Sequence, residues 1–481
     1  MKVRSAKFNS IIFLSLLITI EIIVAGILTS NTLEIEVEGK LKIASAVCLT
    51  SFVVNFIVWS KLCNELLSPY TVFFTVLFVF CCGQCIGWLF DLDMGAKDMW
   101  NRVDHGTTKM LLLQGLTYST IGITCFNLGA VMGTNSDCNY VKGSQWTAEQ
   151  TTGAFAGISK LLLAIAIPAF VANTYVSINT VIQSGYASIY AFQQSSSILM
   201  RLLDMLANYY QPCLLLLLIV YRERRGKRIC ILAAMLVDVV LNLFIGGRSG
   251  AVMSLLAIVL SYHYFVSPFT KKQAIVGAAS GYLVIALLNA IADIRDVANK
   301  GLSDFLPALA QSFTNVIGEF VGELGWSITS MCWTMNLVPS IYPFRYGMSY
   351  IVSVICWVPS AFFSGTHPVV TWGELSTWLQ TSLGMAYGPG YTMIAEAYLN
   401  FGTWGYVALI VEGFIIAKCI AQVSRKYCEE NLLKSTIQIM VIMVLMKSLV
   451  RSSVSIAVRQ YIFIILPLLM LIKMSSKKIK G

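Results

Sequence analysis

Long apolar runs recur along almost the whole chain and constrain its fold more than any other feature. They are about 17–22 residues long, enough for a helix to cross the ~30 Å hydrocarbon layer of a bilayer. We place twelve of them, at 11–29, 43–60, 71–90, 110–133, 160–178, 203–221, 229–246, 250–266, 274–292, 404–423, 436–450 and 455–473. Only 12% of the 481 residues are charged, against roughly 25% in a soluble domain. The sequence therefore predicts an all-α polytopic integral membrane protein, with 1–481 as a single membrane domain.

Two further apolar stretches leave the number of crossings open. Residues 326–340 and 348–363 are interrupted by Pro339, Pro343 and Pro359. Because proline breaks a helix interior, these stretches form either a helical hairpin or re-entrant segments. The prediction is about twelve transmembrane helices, with a range of twelve to fourteen.

Basic residues give the orientation, because cytoplasmic loops retain lysine and arginine. With twelve spans, both termini and every basic cluster fall in the cytoplasm. The clusters are Lys2, Arg4 and Lys7; 222–228; Lys271 and Lys272; Arg425 and Lys426; and 473–480. The net charge of +10 then reflects topology and contact with anionic lipid headgroups. It does not indicate a nucleic-acid partner.

This topology leaves one long external region, 293–403, and a second external loop, 180–197. The first contains several tryptophans, namely Trp326, Trp333, Trp357, Trp372 and Trp378, and the second contains Tyr186. Aromatic side chains favour the membrane interface, and their apolar faces also suit the C–H faces of sugar rings. Both roles, interfacial belt and sugar platform, remain open for each of them.

Arg248 lies in the segment GGRSG, between two apolar spans with almost no loop. Its glycines allow a tight turn and a close approach of the backbone to a ligand. A guanidinium held there can bind a phosphate or diphosphate through two hydrogen bonds. The alternative is an arginine that reaches outward to lipid phosphate. We favour the functional role for Arg248.

Other charged residues near the outer face are candidates for the same site. Arg295 lies between Asp293 and Asp296, which makes a local ion pair an equal alternative. Arg345 follows a proline turn, and Arg451 and Arg459 flank the boundary between the last two spans near Lys447. Glu323 lies four residues after Glu319, so the two carboxylates share a helix face. Mutual repulsion would suit Glu323 to act as a general base, although a solvated helix face has the same pattern.

The segment YGPGYTMIAEAYLNFGTWGYVALI, residues 387–410, carries one carboxylate at the mouth of a span. A Gly/Pro turn leads into a short helix with Glu396, and an apolar run begins after Gly402. Charged groups at the edge of a membrane usually have a function. We expect Glu396 to act as the base for an acceptor hydroxyl or to orient the acceptor. The alternative is a carboxylate that pairs with an outer arginine and holds the loop in place.

Cofactor chemistry is not indicated. The three histidines, His105, His263 and His367, have no spacing typical of a zinc site, and the chain has no phosphate-binding loop of the ATPase type. We predict no metal and no cofactor.

Several of these features together resemble a known family. They are GGRSG at 246–250, an F…G…Y pattern from Phe344 to Tyr350, and the block GxGYTxIAEAYLNFGxxG at 388–405 ahead of an apolar span. The second half of the chain, about 240–470, is similar to the Wzy-type O-antigen polymerases of bacteria. The first half matches in hydropathy and in the GYASIY loop.

The resemblance implies a metal-independent glycosyltransferase with a GT-C-like membrane fold in the bacterial cytoplasmic (inner) membrane and a site that faces outward. Its substrate would be an oligosaccharide repeat unit on undecaprenyl diphosphate, and a chain-length co-polymerase and a flippase would be its partners. Functional arginines of this family correspond to Arg248, Arg295, Arg345 and Arg451. Substrate contacts are expected from Arg459 and from side chains of the motif segments, namely Tyr186, Tyr350, Tyr398 and Asn400.

Two other functions use the same membrane and the same lipid carrier. An O-antigen ligase transfers the glycan to lipid A-core, and a flippase transports the lipid-linked unit. The block at 388–405 favours the polymerase over the ligase. The two halves of the chain show no repeat symmetry, which transporters usually have.

Overall fold

The computed structural model describes residues 2–30, 33–63, 65, 67–101, 108–134, 147–184, 197–245, 248–295, 305–385, 388–421 and 423–478. Among these residues helices dominate and no β-strand occurs. The prediction of an all-α protein is confirmed. Tyr186 and most of the predicted loop 180–197 lie outside the described residues, and so do the side chains of Arg248, Arg295 and Lys447.

The first half of the chain supplies long helices. They are α1 (Lys2–Thr29), α2 (Val37–Cys63), α3 (Pro69–Cys82), α4 (Gln84–Leu89), α5 (Lys109–Gly133), α6 (Ala148–Ser184), α7 (Ile198–Ala207), α8 (Tyr210–Val220), α9 (Arg225–Ile245), α10 (Arg248–Ser261) and α11 (Lys271–Arg295). A π-helical turn, Tyr262–Val266, extends α10.

The second half begins with short helices and ends with longer ones. They are α12 (Phe305–Thr314), α13 (Val316–Gly325), α14 (Ile328–Leu337), α15 (Met348–Val354), α16 (Pro368–Trp372), α17 (Leu375–Leu383), α18 (Met393–Phe401), α19 (Gly405–Ile420), α20 (Arg425–Glu430), α21 (Leu432–Ser448), α22 (Val454–Gln460) and α23 (Leu466–Lys478). A 3₁₀ turn, Gly402–Trp404, joins α18 to α19, and a π-helical turn, Tyr461–Ile465, joins α22 to α23.

Hydroxyl side chains define where several helices start. Ser68 accepts a hydrogen bond from the backbone N–H of Thr71 and caps α3, with Pro69 at the first helical position. Thr108 caps α5 in the same way, and Thr392 caps α18. Such caps satisfy N–H groups that the helix itself leaves unpaired.

Seven helical segments in the described part of the chain are long and apolar enough to cross a membrane. They are Ser5–Thr29, Val37–Cys63, Ala148–Gln183, Leu199–Val220, Arg225–Ile245, Met393–Ile420 and Val454–Ser475. The protein is therefore a polytopic membrane protein. Each of the other predicted spans also coincides with helix, in α3 with α4, in α5, in α10, in α11 and in α21.

Glycines bring α5 and α19 into direct backbone contact. A Cβ atom added at Gly129 would lie 1.9 Å from the carbonyl oxygen of Ile410, and one added at Gly413 would lie 1.9 Å from that of Phe126. Small residues at such contacts let membrane helices pack closely without a hydrophobic driving force. The pair forms a central support of the bundle, since α5 is buried over most of its length.

Contacts between helix ends show which ends lie at the same face of the bundle. At one face the Lys7 ammonium donates to the carbonyl of Met132 at the end of α5, and the Tyr264 hydroxyl donates to the carbonyl of Leu67. At the other face the Lys42 ammonium donates to the Asp91 carboxylate at 3.0 Å. The segment 338–404, together with 449–459, packs at this second face, and we call it the end layer.

Candidate functional site

Glu396 lies at the centre of the end layer, in the first turn of α18. The turn before this helix uses Gly390 at φ +81°, and a Cβ atom there would lie 3.1 Å from Cγ of Arg451. Only glycine combines that backbone conformation with such a close neighbour. The backbone N–H of Tyr391 then donates to the carbonyl of Arg451 at 3.2 Å. These contacts place the carboxylate of Glu396 inside the protein, with no exposed surface.

Both oxygens of the Glu396 carboxylate accept hydrogen bonds. The Ser349 hydroxyl of α15 donates to Oε1 at 2.6 Å, and the backbone N–H of Val454 donates to Oε2 at 2.8 Å. Val454 is the first residue of α22, whose Ser453 cap makes no side-chain bond to the helix. The carboxylate thus satisfies a donor at the positive end of α22. Glu396 joins three helices that are distant in sequence.

Asn400, one turn further along α18, extends this network. Its amide group donates to the Ser349 hydroxyl and to the carbonyl of Glu396, both at 2.8 Å. Its side-chain oxygen accepts from the backbone N–H of Gly347 at 3.0 Å. With each of its polar atoms bonded and no exposed surface, Asn400 fixes the loop before α15 against α18.

Arg345 is buried beside this network between two tryptophan rings. Its guanidinium carbon lies 4.8 Å from the centre of the Trp378 ring and 5.6 Å from that of Trp372, and it donates to the carbonyl of Trp372 at 2.7 Å. Burial lowers the pKa of Arg345 from its ordinary value, and the nearby Tyr391 and Glu396 oppose that shift. An arginine keeps its charge in such a place, so the layer holds a fixed cation near the Glu396 carboxylate.

The remaining arginines of the layer are more exposed. Arg459 approaches the carboxylate of Glu374 at 3.5 Å, with side chains 43% and 28% exposed. Arg451 lies against Gly390, as its backbone bond to Tyr391 also requires. The structure thus places Arg451 beside the turn that precedes α18, Arg459 in the last turn of α22, and Arg345 in a segment that pairs with the end of α18.

Two of the predicted tyrosines, Tyr350 and Tyr398, contact other aromatic rings of the protein. The ring of Tyr350 stacks on that of Phe401, with centres 6.2 Å apart, and its buried hydroxyl lies beside the buried carboxylate of Glu412. The Tyr398 hydroxyl donates to the carbonyl of Val338 at 3.3 Å. Its ring packs edge-on against that of Tyr118. The side chains of Tyr350 and Tyr398 are both half-buried.

Glu323 lies in a different group of contacts. Its carboxylate is 3.5 Å from the ammonium of Lys97, which also lies 5.8 Å from the ring of Trp326. Gln84 donates to the carbonyls of Lys97 and Gly322 and ties this group to α4. Arg248, Arg295 and Tyr186 cannot be placed, since their side chains are outside the described part of the chain.

Sequence reasoning did not predict three of the contacts in this network, although it had named Trp372 and Trp378 as candidates for other roles. Ser349, the N–H of Val454 and the Trp372/Trp378 pair all contact residues far away along the chain. The Tyr391 hydroxyl and Thr334, 2.7 Å apart, form another such buried contact. A serine between Gly347 and Tyr350 in a motif segment was the available signal. For metal binding, the described residues contain no group of three or more His, Cys, Asp or Glu that could hold an ion.

Fold and site together define a helical multi-pass membrane protein with a polar, arginine-containing layer at one end of its bundle. The amino-acid sequence shows which family the chain belongs to. The chain belongs to the family described as "O-antigen polysaccharide polymerase Wzy", which it matches over residues 11–479. No curated protein and no solved structure matches it. Membership in this family implies a polymerase of the glycosyltransferase type that uses a lipid-linked oligosaccharide in the membrane.

Proposed function

We propose that the protein polymerises oligosaccharide repeat units, carried on undecaprenyl diphosphate, at the outer face of the bacterial cytoplasmic membrane. The family match across nearly the whole chain carries this proposal. The end layer supports it, because its charged residues lie at one end of the bundle. A lipid carrier would hold both substrates in the bilayer plane and so supply proximity.

The reaction transfers the glycan from one carrier to a sugar hydroxyl on another. The acceptor oxygen bonds to the anomeric carbon, the bond from that carbon to the diphosphate breaks, and the hydroxyl proton goes to a base. Negative charge grows on the diphosphate, so fixed cations are the expected catalytic device. We assign this role to Arg451 and Arg459 of the layer, with Arg248 and Arg295 as further anion contacts. Arg345 supports them from the interior.

Glu396 has two possible roles in this reaction, base or positioning residue. Its hydrogen bonds favour positioning, since Ser349 and Val454 occupy both oxygens and the group is buried. Asn400 and Tyr350 would then act with it to shape the acceptor site, and Tyr398 and Tyr186 would contribute aromatic surface. Glu323 remains a proposed base, although its contact with Lys97 favours an ion pair.

We further propose twelve crossings, cytoplasmic termini and a GT-C-like arrangement. Two observations support the number. Helices α14 and α15 have only 10 and 7 residues, about 15 Å or less, and are too short to cross a bilayer. The contacts cited above at each face of the bundle join loops that twelve or fourteen spans place on the same side, which supports an even number of crossings.

Impermeant thiol labelling tests this orientation in intact cells. We would replace the exposed Cys230 and Cys419 with serine and introduce Phe362→Cys, which stands 78% exposed in the end layer. Glu223→Cys, in the basic segment 222–228, is the matched control. Position 362 should react from outside and position 223 only after the membrane is broken. The reverse pattern would contradict the orientation.

Deletion of the gene followed by gel analysis of the surface glycan tests the function. A polymerase defect leaves lipid A-core with a single repeat unit and no ladder. Complete loss of attached glycan would instead indicate a ligase or a flippase, and an unchanged ladder would reject all three. Complementation with the unaltered chain must restore the ladder.

A further inference from the structure

The turn at 345–348 holds a residue that its backbone does not favour. The N–H of Met348 donates to the carbonyl of Arg345 at 2.9 Å. Between them Tyr346 has φ +48°, and Gly347 has φ +85° and ψ 1°. Two consecutive left-handed residues closed in this way are typical of a type I′ turn. Asparagine, aspartate or glycine is usual at the first of the two central positions of that turn, which Tyr346 occupies here.

Three hydrogen bonds from the turn to acceptors in α18 keep Tyr346 in this conformation. The N–H of Arg345 donates to the carbonyl of Leu399, and the N–H of Tyr346 donates to that of Asn400, both at 3.0 Å. The N–H of Gly347 donates to the side-chain oxygen of Asn400. The turn thus pairs with carbonyls at the end of α18 that the helix leaves free. The left-handed backbone at Tyr346 is a fixed part of the layer.

The side chain of Tyr346 is mostly outside the protein interior. Its ring is 75% exposed. The other non-glycine residue at positive φ in the described part of the chain is Asp91, at φ +51°. Asp91 is a residue type that tolerates this conformation, and its carboxylate pairs with Lys42 at 2.7 Å. Tyr346 combines a bulky side chain, an unfavourable backbone conformation and a mostly exposed ring, and residues held in unfavourable conformations cluster at functional sites.

We infer that Tyr346 is a specificity-determining contact that stacks its phenol ring on a pyranose ring of the bound repeat unit. The inference rests on the proposed function and deepens it. The turn that carries the ring also contains Arg345 and is held by Asn400, so the ring stands on the exposed side of the Glu396 network. A tyrosine offers an apolar face for sugar C–H groups and a hydroxyl for their oxygens.

A lipid contact is the competing explanation, and the geometry argues against it. Aromatic anchors at the membrane interface work at many positions and angles, as Trp404 illustrates with 79% exposure at the start of α19. They need no unfavourable turn. A ring held by a turn with three backbone anchors suits a ligand that must be met in one orientation.

The test compares Tyr346→Asn with Tyr346→Phe in the deletion strain. Asparagine fits the type I′ turn and removes the ring, while phenylalanine keeps the ring. We expect the polymer made per enzyme molecule to fall about tenfold or more with asparagine and to stay near the unaltered level with phenylalanine. The thermal midpoint of the purified Tyr346→Asn protein should equal or exceed that of the unaltered chain, because the backbone is relieved.

Phe362→Asn is the matched control, since Phe362 is an equally exposed ring (78%) in the same layer. Its ladder should remain normal. A normal ladder from Tyr346→Asn at normal abundance would overturn the inference. So would a loss that follows lower abundance, or equal losses from both asparagine variants, because these indicate a lipid or packing role. The proposed function fails separately, if deletion of the gene itself leaves the ladder intact.

Discussion

Two regions of this protein bring backbones together, and they do so by opposite means. Between α5 and α19 the contact depends on missing side chains, with Gly129 and Gly413 each facing a carbonyl of the other helix at a distance no Cβ could tolerate. In the end layer the contact depends on polar side chains that are present. Glu396 and Asn400 there bond to α15, α22 and the turn at 345–347.

The two regions should therefore be sensitive to different kinds of substitution. The helix pair tolerates no added atom, because a close-packed interior has no room and both sides of the contact are backbone. The end layer tolerates no removed acceptor, because buried donors left without partners are costly. The hydrogen bonds of the end layer also hold charged groups in fixed positions, as they do for Glu396. The contact between α5 and α19 holds two long helices together, and the end layer is the region in which we propose that the chemistry takes place.

The largest effect is expected from an added side chain at Gly413. Gly413→Leu forces α5 and α19 apart, since even its Cβ would lie 1.9 Å from the carbonyl oxygen of Phe126. Overpacking of this kind costs about 3 kcal/mol or more. The amount of folded protein extracted from membranes should fall severalfold, as measured by fluorescence-detected gel filtration. Gly157→Leu in α6, where an added Cβ meets nothing within 4 Å, is the control.

A smaller effect is expected from removal of the Glu396 acceptor. Glu396→Ala leaves the Val454 N–H and the Ser349 hydroxyl without their partner, at about 1–3 kcal/mol for each. Glu396→Gln keeps an acceptor for one of them and should retain part of the stability and part of the ladder. A double-mutant cycle with Ser349→Ala should show coupling of about 0.5–3 kcal/mol.

The same variants distinguish the two roles proposed for Glu396. A base cannot be replaced by an amide, so complete loss of polymer in Glu396→Gln at normal abundance would contradict the positioning role. A normal ladder in Glu396→Ala at normal abundance would exclude Glu396 from the site altogether.

The sequence predicted the helices of this fold better than it predicted the site. The apolar runs at 11–29 and 110–133 lie within α1 and α5, because hydropathy is a local property and needs no knowledge of neighbours. The partners of Glu396 are 47 and 58 positions away, and no spacing rule connects them. Glu396 itself was predicted as a site residue because a lone acid at the mouth of a span is unusual, and its role stays a prediction. Ser349 and Tyr346 had no comparable signal, since the properties that set them apart are a distant hydrogen bond and a backbone angle.

The next prediction concerns the cation in the layer. Arg345→Lys keeps the charge and loses the planar group that stacks between Trp372 and Trp378 and donates to the Trp372 carbonyl. Arginine and lysine are not interchangeable at stacked sites, and the lost contacts are worth about 1–2 kcal/mol. We expect a lower thermal midpoint and a shortened ladder. Full retention of both would show that position 345 supplies only charge.

The smallest effect is expected at Glu323, and it decides whether the end layer is the whole site. The Glu323 carboxylate pairs with Lys97 at 3.5 Å, and their side chains are 21% and 43% exposed. Pairs of this exposure contribute about 0–1 kcal/mol, so Glu323→Gln should leave the thermal midpoint and the ladder nearly unchanged. Lys97→Met should behave in the same way, because either change removes one partner of the same pair. If Glu323→Gln abolishes the ladder while Lys97→Met does not, the carboxylate has a chemical role that its ion pair does not explain. Glu323 would then be the base, and the chemistry would lie beside α13 and α4, with the end layer reduced to a support for the bound carrier.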